Sequence, residues 1–324
     1  MSEKYTVDDL LTGFSTYEQQ ADVVCCWHSW YEGFVEQGTF DHYPKRDLPS
    51  GDRVTPDFVV EFDDGYRLVG EICRLPNQED GFRRSVEQAL RYTQVGGDAD
   101  VMMLLRQPTA AECESRMIRE GLLTDADQLV VVSYLRDATD VKTCWWFQRA
   151  THIRSATFRD TQLGDKSLHI LMTEQMKSVP VPLRFGLGYR SRFPFMNDEP
   201  PALYTAAYLW QSVFNMVLGE DDYTERLVRG EPTDINVTVA MIKEICDANG
   251  IHLKAAWATA ALDLLREARL AEKLGDGSYD VRYGKIRATP GGSHEVHQQI
   301  AERLAHSTVS STGPEVPAGQ TQIF

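Results

Sequence analysis

The chain has 324 residues, 42% of them hydrophobic, and a formal net charge of −15 at pH 7. This length accommodates two domains with cores of their own, and no run of eighteen or more apolar residues predicts a membrane span. The polar start, Met-Ser-Glu-Lys-Tyr, lacks the apolar segment of a signal peptide, so we expect a cytoplasmic protein with no membrane partner.

Cysteine spacing and charge narrow the classes further. The six cysteines show neither a CxxC pair nor a zinc-type spacing, which predicts reduced thiols in the core. The acidic balance disfavours broad binding to nucleic acid, because phosphate contacts need positive charge. DNA binding would therefore depend on local clusters of cations.

The first predicted helix opens at residues 15–18 and runs to residues 37–38, with Glu18 in its first turn. Two apolar runs follow, residues 55–62 and 66–74, separated by Asp63-Asp64-Gly65, and they predict an antiparallel hairpin. Asp57 and Glu71 fall toward the open end of this hairpin. There the two carboxylates can converge on a divalent cation, which prefers oxygen ligands.

The next elements predict an α/β domain. Residues 82–92 form an amphipathic helix with Gln88 and Tyr92 one turn apart. A strand at residues 99–105, a helix at 109–121 and a second hairpin formed by 128–135 and 143–148 follow. Together these elements predict a mixed sheet flanked by helices.

This order of elements and acidic residues resembles the PD-(D/E)XK nuclease superfamily, which has the restriction-endonuclease-like fold. The resemblance implies a nuclease-like domain over residues 1–150 that uses Mg²⁺ or Mn²⁺ to hydrolyse DNA. It implies metal ligands at Asp57, Glu71 and the Ile72 carbonyl, with Glu18 as an auxiliary acid. Gln88 and Tyr92 match the Gln-x-x-x-Tyr helix of RecB-like members.

One residue departs from the family pattern. The position two residues after Glu71, on the same strand face, is expected to hold a lysine, and this chain has Cys73. An ordinary thiol is mostly neutral at pH 7 and cannot supply the missing cation. Two alternatives stay open: a nuclease whose cation comes from Lys45, Arg83 or Arg84, or a degenerate nuclease fold that serves as a DNA-binding or protein-docking subunit.

Residues 151–198 are predicted to form accessory strands and a linker. This segment holds a basic stretch with interleaved aromatic residues, in which Arg184, Arg190 and Arg192 are candidate nucleic-acid contacts. The alternative is a Gly- and Pro-rich linker whose aromatic side chains are buried against a domain.

A second, mostly helical domain is predicted over residues 199–290. Helical patterns at 203–218, 237–249 and 253–274 precede a short β-ribbon at 279–287, an order that resembles a winged helix-turn-helix domain. In such a domain the third helix faces the major groove of DNA. The candidate phosphate contacts are Lys254, Arg282, Lys285 and Arg287; a protein-docking role is the alternative.

Residues 291–324 are predicted to be a short helix and a flexible tail. The chain ends in Gln320-Thr-Gln-Ile323-Phe324, which resembles the short motif that docks replication and repair proteins on the bacterial sliding clamp. Gln320, Ile323 and Phe324 are therefore candidate contacts for a clamp or another protein subunit. The alternative is a terminus packed on its own domain, and the sequence is also compatible with a homo-oligomer.

Overall fold

The computed structural model describes most of the chain in separate stretches. They are residues 6–34, 38–73, 79–94, 99–106, 109–121, 129–138, 143–149, 199–218, 233–286 and 293–310, with short segments at 162–163, 166–167, 176–177, 195–196, 225–226 and 229. These residues divide into two compact units. The sheet unit contains the described residues from 19 to 198, and the carboxy-terminal unit contains residues 6–18 together with those from 199 onward.

The described residues of the sheet unit form eleven strands and three helices. Its strands are β1 (Gly38–His42), β2 (Arg46–Asp47), β3 (Arg53–Val54), β4 (Phe58–Phe62), β5 (Arg67–Ile72), β6 (Ala99–Arg106), β7 (Leu129–Ala138), β8 (Thr143–Arg149), β9 (Gln162–Leu163), β10 (Lys166–Ser167) and β11 (Met176–Lys177). Its helices are α1 (Val7–Phe34), whose first part belongs to the other unit, α2 (Glu79–Tyr92) and α3 (Thr109–Arg119).

Seven of these strands form one mixed sheet in the order β1-β4-β5-β6-β7-β8-β11. Strands β5, β6 and β7 are parallel neighbours, and the remaining pairs in the sheet are antiparallel. A parallel pair needs a crossover connection, and α2 and α3 lie in the two crossovers of β5-β6-β7. The predicted α/β class with a mixed sheet is confirmed.

Both faces of the sheet are covered, which explains why its central strands are apolar throughout. Every residue from Val101 to Leu105 in β6 is buried, as expected where helices pack on both sides. Side chains of one face, among them Phe58 and Ile72, pack with Trp27 of α1. Those of the other face, among them Val69 and Met103, pack with residues of α2 and α3.

The predicted hairpin is confirmed as β4 and β5. Gly65 has φ +83°, a conformation that favours glycine. Its N–H donates to the Phe62 carbonyl at 2.8 Å, and the Phe62 N–H donates to the Tyr66 carbonyl at 2.9 Å. This turn sets the register in which Phe58 pairs with Gly70 at the open end.

The first helix begins earlier than predicted. It starts at Val7 rather than near Ser15, and it ends at Phe34. The Asp9 N–H donates to Thr6 Oγ1 at 3.1 Å, and Asp9 Oδ2 accepts from the Thr6 N–H at 3.2 Å. This reciprocal pair is a capping box, which satisfies two backbone donors at the helix start.

The carboxy-terminal unit is mainly helical. Its elements after α1 are α4 (Ala202–Tyr208), a π-helical turn (Leu209–Val213), α5 (Phe214–Leu218), β12 (Ile235–Val237), α6 (Val239–Ala248), α7 (Ala255–Glu267), β13 (Ala271–Lys273), β14 (Tyr279–Val281), a 3₁₀ turn (Tyr283–Lys285) and α8 (Ser293–Ser310). The strands form an antiparallel sheet in the order β12-β14-β13.

The third predicted helix of this unit is wrong in its length. The prediction extended it to Leu274, whereas α7 ends at Glu267 and residues 271–273 form β13. Arg269 has φ +58°, and the Leu270 N–H donates to the Leu265 carbonyl at 2.8 Å, so the chain reverses there. The predicted ribbon is also shorter, because β14 ends at Val281 and a 3₁₀ turn follows.

Within the stretches that the structure describes, no helix combines the length and the apolar character of a membrane span.

Close packing at Gly70 gives a test of the hairpin core. A Cβ atom at Gly70 would lie 2.2 Å from the ring of Phe58, which is fully buried and stacks with Phe40. We expect Gly70→Ala to lower the free energy of unfolding by about 1–3 kcal/mol, the usual cost of overpacking a core. Urea denaturation measures the change.

The control is Gly275→Ala, because no atom lies within 4 Å of a Cβ at Gly275. Adding Phe58→Leu to Gly70→Ala should recover part of the loss, since it removes the ring that the new methyl group meets. Equal stability of the Gly70→Ala and Gly275→Ala proteins would contradict the packing described for this hairpin.

Candidate functional site

Asp57 is a buried acidic residue at the open end of the β4–β5 hairpin. Its side chain is 3% exposed. The Asp57 N–H donates to the Gly70 carbonyl at 3.1 Å, and Asp57 Oδ2 accepts from the Ile72 N–H at 2.7 Å. The carboxylate therefore lies against the backbone segment that carries Glu71, as the predicted hairpin requires.

Glu71 is also buried, with 7% of its side chain exposed, and it is bonded to α2. The Tyr92 hydroxyl lies 3.1 Å from Glu71 Oε2 and 3.3 Å from the Thr55 carbonyl oxygen, and the Gln88 amide donates to the same hydroxyl. A phenol has one proton, so it donates to either acceptor at a given moment. Tyr92 thereby links Glu71 to the segment just before Asp57.

Burial and charge both act on the Tyr92 hydroxyl. Burial raises the pKa of Tyr92, and the charges of Glu71 and Asp57 raise the pKa further. The phenol is therefore protonated throughout the physiological range and acts as a donor. Two ionised carboxylates in a buried site repel each other, and a cation bound by both would remove that repulsion.

Cys73 lies in the core beside these carboxylates. It is 2% exposed and packs in the cluster that contains Val69, Phe82 and Val86, on the α2 side of the sheet. Its N–H donates to the Leu104 carbonyl at 2.9 Å. The thiol is a core side chain at the position where the family resemblance implies a lysine.

Two residues at the carboxyl end of the parallel pairing between β6 and β7, the strands that follow β5 in the sheet, were missed in the sequence. Tyr134 of β7 pairs with Arg106 at the end of β6. Burial raises the pKa of Tyr134 to about 12; the Arg106 charge opposes this rise, and Cys73 and Asp57 add to it. Arg106 is exposed and lies at the carboxyl end of a strand parallel to β5. Ligands of α/β sheets often bind at such ends, and this was the signal that the sequence offered.

His42 is the residue before Tyr43, whose N–H donates to the Asp57 carbonyl at 3.1 Å. The ring of His42 lies between Phe40 and His28, with centroids 4.8 and 5.1 Å away. Burial, together with the charge of His28, lowers the pKa of His42 to about 3. His42 is therefore neutral near pH 7 and does not supply positive charge to the site.

The donors at this site are few. Among the described residues, no group of three or more His, Cys, Asp and Glu side chains is placed to hold a metal ion. Mg²⁺ keeps several waters and is commonly bound by one or two carboxylates. Asp57 and Glu71 supply two, and each carboxylate has two oxygens with about four acceptor positions. The donor set fits Mg²⁺ or Mn²⁺ with water ligands, and the Ile72 carbonyl stays a predicted third ligand.

The other candidate residues near the predicted site are Glu18, Lys45, Arg83 and Arg84. Glu18 is buried on α1 and groups with the carboxy-terminal unit, so its role as an auxiliary acid stays a prediction. Arg83 of α2 pairs at 3.4 Å with Glu120, the residue after the end of α3, and Lys45 and Arg84 are exposed.

The candidate nucleic-acid and partner contacts divide into two groups. Lys254 stands over the ring of Trp257 at 4.4 Å, and Arg282 pairs with Glu272 at 3.4 Å. Lys285 is exposed. The remaining calls lie outside the described residues: Arg184, Arg190, Arg192, Arg287, Gln320, Ile323 and Phe324.

Comparisons of the chain with protein-family models, with curated proteins and with solved structures find no match.

The bond between Tyr92 and Glu71 can be tested by a double-mutant cycle. Tyr92→Phe should lower the free energy of unfolding by about 1–3 kcal/mol, because a buried acceptor loses its donor. Combined with Glu71→Gln, it should show a coupling energy of about 0.5–3 kcal/mol, as for residues in contact. Urea denaturation of the four proteins gives this value.

Tyr66→Phe is the matched control. Tyr66 lies five residues before Glu71 in the sequence. Its hydroxyl donates at 2.9 Å to another buried carboxylate, that of Asp100. The effect of Tyr66→Phe should add to that of Glu71→Gln within about 0.5 kcal/mol, since the Tyr66 hydroxyl donates to a different carboxylate. Additive behaviour of Tyr92→Phe with Glu71→Gln would show that this bond does not form.

Proposed function

We propose that this chain is a divalent-metal-dependent DNA nuclease of the PD-(D/E)XK type that acts in DNA processing or defence. The observation that carries the proposal is the pair of buried carboxylates, Asp57 and Glu71, at the open end of the β4–β5 hairpin. Gln88 and Tyr92 of α2 hold Glu71 in place. Two buried carboxylates at the ends of neighbouring strands are costly in an apolar core, and they are suitable ligands for a metal ion.

The order of elements supports the same proposal. Helix α1 precedes the antiparallel β4–β5 pair, and α2 connects β5 to the parallel strand β6. The family resemblance implies the order helix, three strands, helix, strand, and β1, β4 and β5 are the strands of the large sheet between α1 and α2. The predicted positions of the two acids, at the hairpin's open end, and of the Gln88–Tyr92 helix agree with the geometry of these residues.

Each residue has a distinct role in the proposed reaction. Asp57 and Glu71 would hold the ion. Bound there, Mg²⁺ or Mn²⁺ would lower the pKa of a water and neutralise charge on the attacked phosphate. Ile72 and Tyr92 donate to the two carboxylates and fix their orientation, which usually accounts for a factor of about 10–100 in metal affinity or activity.

The cation that stabilises the phosphate would come from Arg106 rather than from residue 73. Arg106 is exposed at the carboxyl end of β6, the strand that pairs in parallel with β5. An arginine is charged at any working pH and can bind phosphate oxygens in pairs. Arg83, by contrast, pairs with Glu120, the residue after the end of α3.

The burial of Cys73 favours a second candidate function. A residue that is 2% exposed and surrounded by apolar side chains contributes to the core and not to a phosphate site. In this alternative the chain keeps the nuclease fold without cleavage and serves as a DNA-binding or protein-docking subunit. Metal-dependent cleavage of DNA distinguishes the nuclease from this non-catalytic subunit.

For the carboxy-terminal unit we propose a winged-helix domain. A first helical segment is followed by β12, two helices, and the β13–β14 pair, and the strand order places β14 between β12 and β13. This order agrees with the winged-helix resemblance, in which the third helix would be α7. Docking of the tail on a sliding clamp remains a prediction, because residues 311–324 lie outside the described part of the chain.

The proposed activity predicts metal-dependent cleavage. Supercoiled, linear and branched DNA incubated with the purified protein should be cut in the presence of Mg²⁺ or Mn²⁺ and left intact in EDTA. Asp57→Asn and Glu71→Gln should each reduce cleavage to background, since each keeps the side-chain shape and removes a charged ligand. Arg106→Gln should lower the rate by about 10²–10³, the usual cost of losing one charge-stabilising donor.

The matched control is Arg83→Gln, which removes an arginine that is ion-paired to Glu120 and should leave cleavage unchanged. Circular dichroism confirms that each variant is folded. If the folded parent protein cuts none of the three DNA forms with either metal, the non-catalytic alternative replaces the nuclease proposal. Cleavage that survives in Asp57→Asn would instead place the site elsewhere.

A further inference from the structure

The carboxy-terminal unit has an open groove with a basic lining and a volume of about 690 Å³. Four of its lining residues are cations and one is a carboxylate: Arg266, Arg269, Lys273 and Arg282, with Glu272. The whole chain has a net charge of −15, so four cations around one groove are a local exception to its composition.

The four cations come from different secondary-structure elements. Arg266 lies in the last turn of α7, Arg269 lies at the reversal after that helix, and Lys273 ends β13. The Arg282 N–H donates to the Leu270 carbonyl at 2.9 Å, which places the residue after β14 beside that reversal. The groove is therefore formed by the backbone of a helix end and a strand pair.

Arg269 is an unusual residue for its backbone conformation. Its φ of +58° lies in the left-handed region, and the position after a helix end that adopts it is usually glycine. The bonds from the Arg269 N–H to the Arg266 carbonyl, at 2.9 Å, and from the Leu270 N–H to the Leu265 carbonyl are made by backbone atoms alone. Glycine would satisfy this helix end equally well, so the fold does not explain the guanidinium.

Two of the four cations have a carboxylate partner: Arg282, and Arg266, which lies 3.5 Å from Asp263. Within the described residues, neither Arg269 nor Lys273 forms an ion pair, and the Lys273 ammonium lies 5.3 Å from the ring centre of Tyr279. Arg282 and Glu272 are 3.4 Å apart, with 40% and 64% of their side chains exposed. An exposed pair of this kind is weak, so a phosphate can compete for the arginine.

We propose that this groove binds the sugar-phosphate backbone of duplex DNA. No aromatic residue lines the groove, and single-strand binding usually depends on aromatic side chains that stack on bases. The groove is open rather than enclosed, whereas a small ligand is usually bound in a cleft that covers most of its surface. The cations carry no pattern for reading bases, so binding would be independent of sequence.

This inference rests on the proposed function only in the choice of DNA as the nucleic acid. The proposed DNA contact lies at the carboxyl end of α7. The sequence had instead made Lys254, at the amino end of that helix, a candidate phosphate contact. The ammonium of Lys254 lies over Trp257 instead. Of the residues predicted from sequence to bind phosphate, Arg282 lines the groove, and Arg266, Arg269 and Lys273 are new.

Fluorescence anisotropy with the full-length protein in EDTA tests the groove without cleavage. A labelled mixed-sequence duplex is titrated at several salt concentrations for the parent, for Arg269→Gly with Lys273→Gln, and for Lys243→Ala. Each lost phosphate contact lowers the slope of log K against log salt by about 0.9. The double variant should therefore lose about 2 from the slope and at least about tenfold in affinity.

The controls separate a binding role from a structural one. Arg269→Gly should leave the unfolding midpoint unchanged or raise it, because glycine suits φ +58°. Lys243→Ala, which removes a cation paired with Asp247 on α6, should leave the slope unchanged. A slope in the double variant equal to that of Lys243→Ala would overturn the proposal. So would tighter binding of the single strand, or displacement of the duplex by low millimolar inorganic phosphate.

Failure of this proposal and of the nuclease proposal can be told apart. If the double variant binds like the parent while cleavage still depends on Asp57, the groove is wrong and the nuclease proposal stands. If the duplex binds with the predicted slope and no cleavage occurs, the groove stands and the non-catalytic alternative is favoured.

Discussion

The burial of two carboxylates at one end of a hairpin is the constraint on which the sheet unit depends. A charge removed from water costs several kcal/mol unless hydrogen bonds or a counter-charge replace the lost hydration. Asp57 therefore needs the Ile72 N–H, and Glu71 needs the Tyr92 hydroxyl. The first bond requires β5 to remain extended past Glu71, and the second requires α2 to pack on that face of the sheet. Secondary structure and site are thus specified by the same contacts.

Core packing and the site share residues for this reason. Gly70 has no side chain, and this leaves room for the ring of Phe58, the residue next to Asp57. Cys73 closes the apolar cluster next to Glu71, where a long cation would have to be buried. Position 73 is thus a packed position in this chain, and in the proposed nuclease the cation would come from an exposed strand end, at Arg106.

The hairpin and the α2 residues could be predicted because their signals are local. Asp63-Asp64-Gly65 defines the turn, and the four-residue spacing of Gln88 and Tyr92 places both on one helix face. The start of α1 was predicted near Ser15, whereas the capping box that begins the helix is formed by Thr6 and Asp9. The end of α7 was missed because an arginine occupies a position that glycine usually marks. Arg106 is 35 residues from Glu71 in sequence, and only the parallel register of β5 and β6 brings their strand ends together.

Direct measurement of metal binding tests the central claim, that Asp57 and Glu71 form a divalent-cation site, without DNA or cleavage. Free Mn²⁺ can be followed by electron paramagnetic resonance as the full-length protein is titrated. The parent should bind one ion per chain, and Asp57→Asn combined with Glu71→Gln should abolish that binding while a Lys243→Ala control retains it. The absence of Mn²⁺ binding by the folded parent, or binding that is equal in the double variant, would contradict the account.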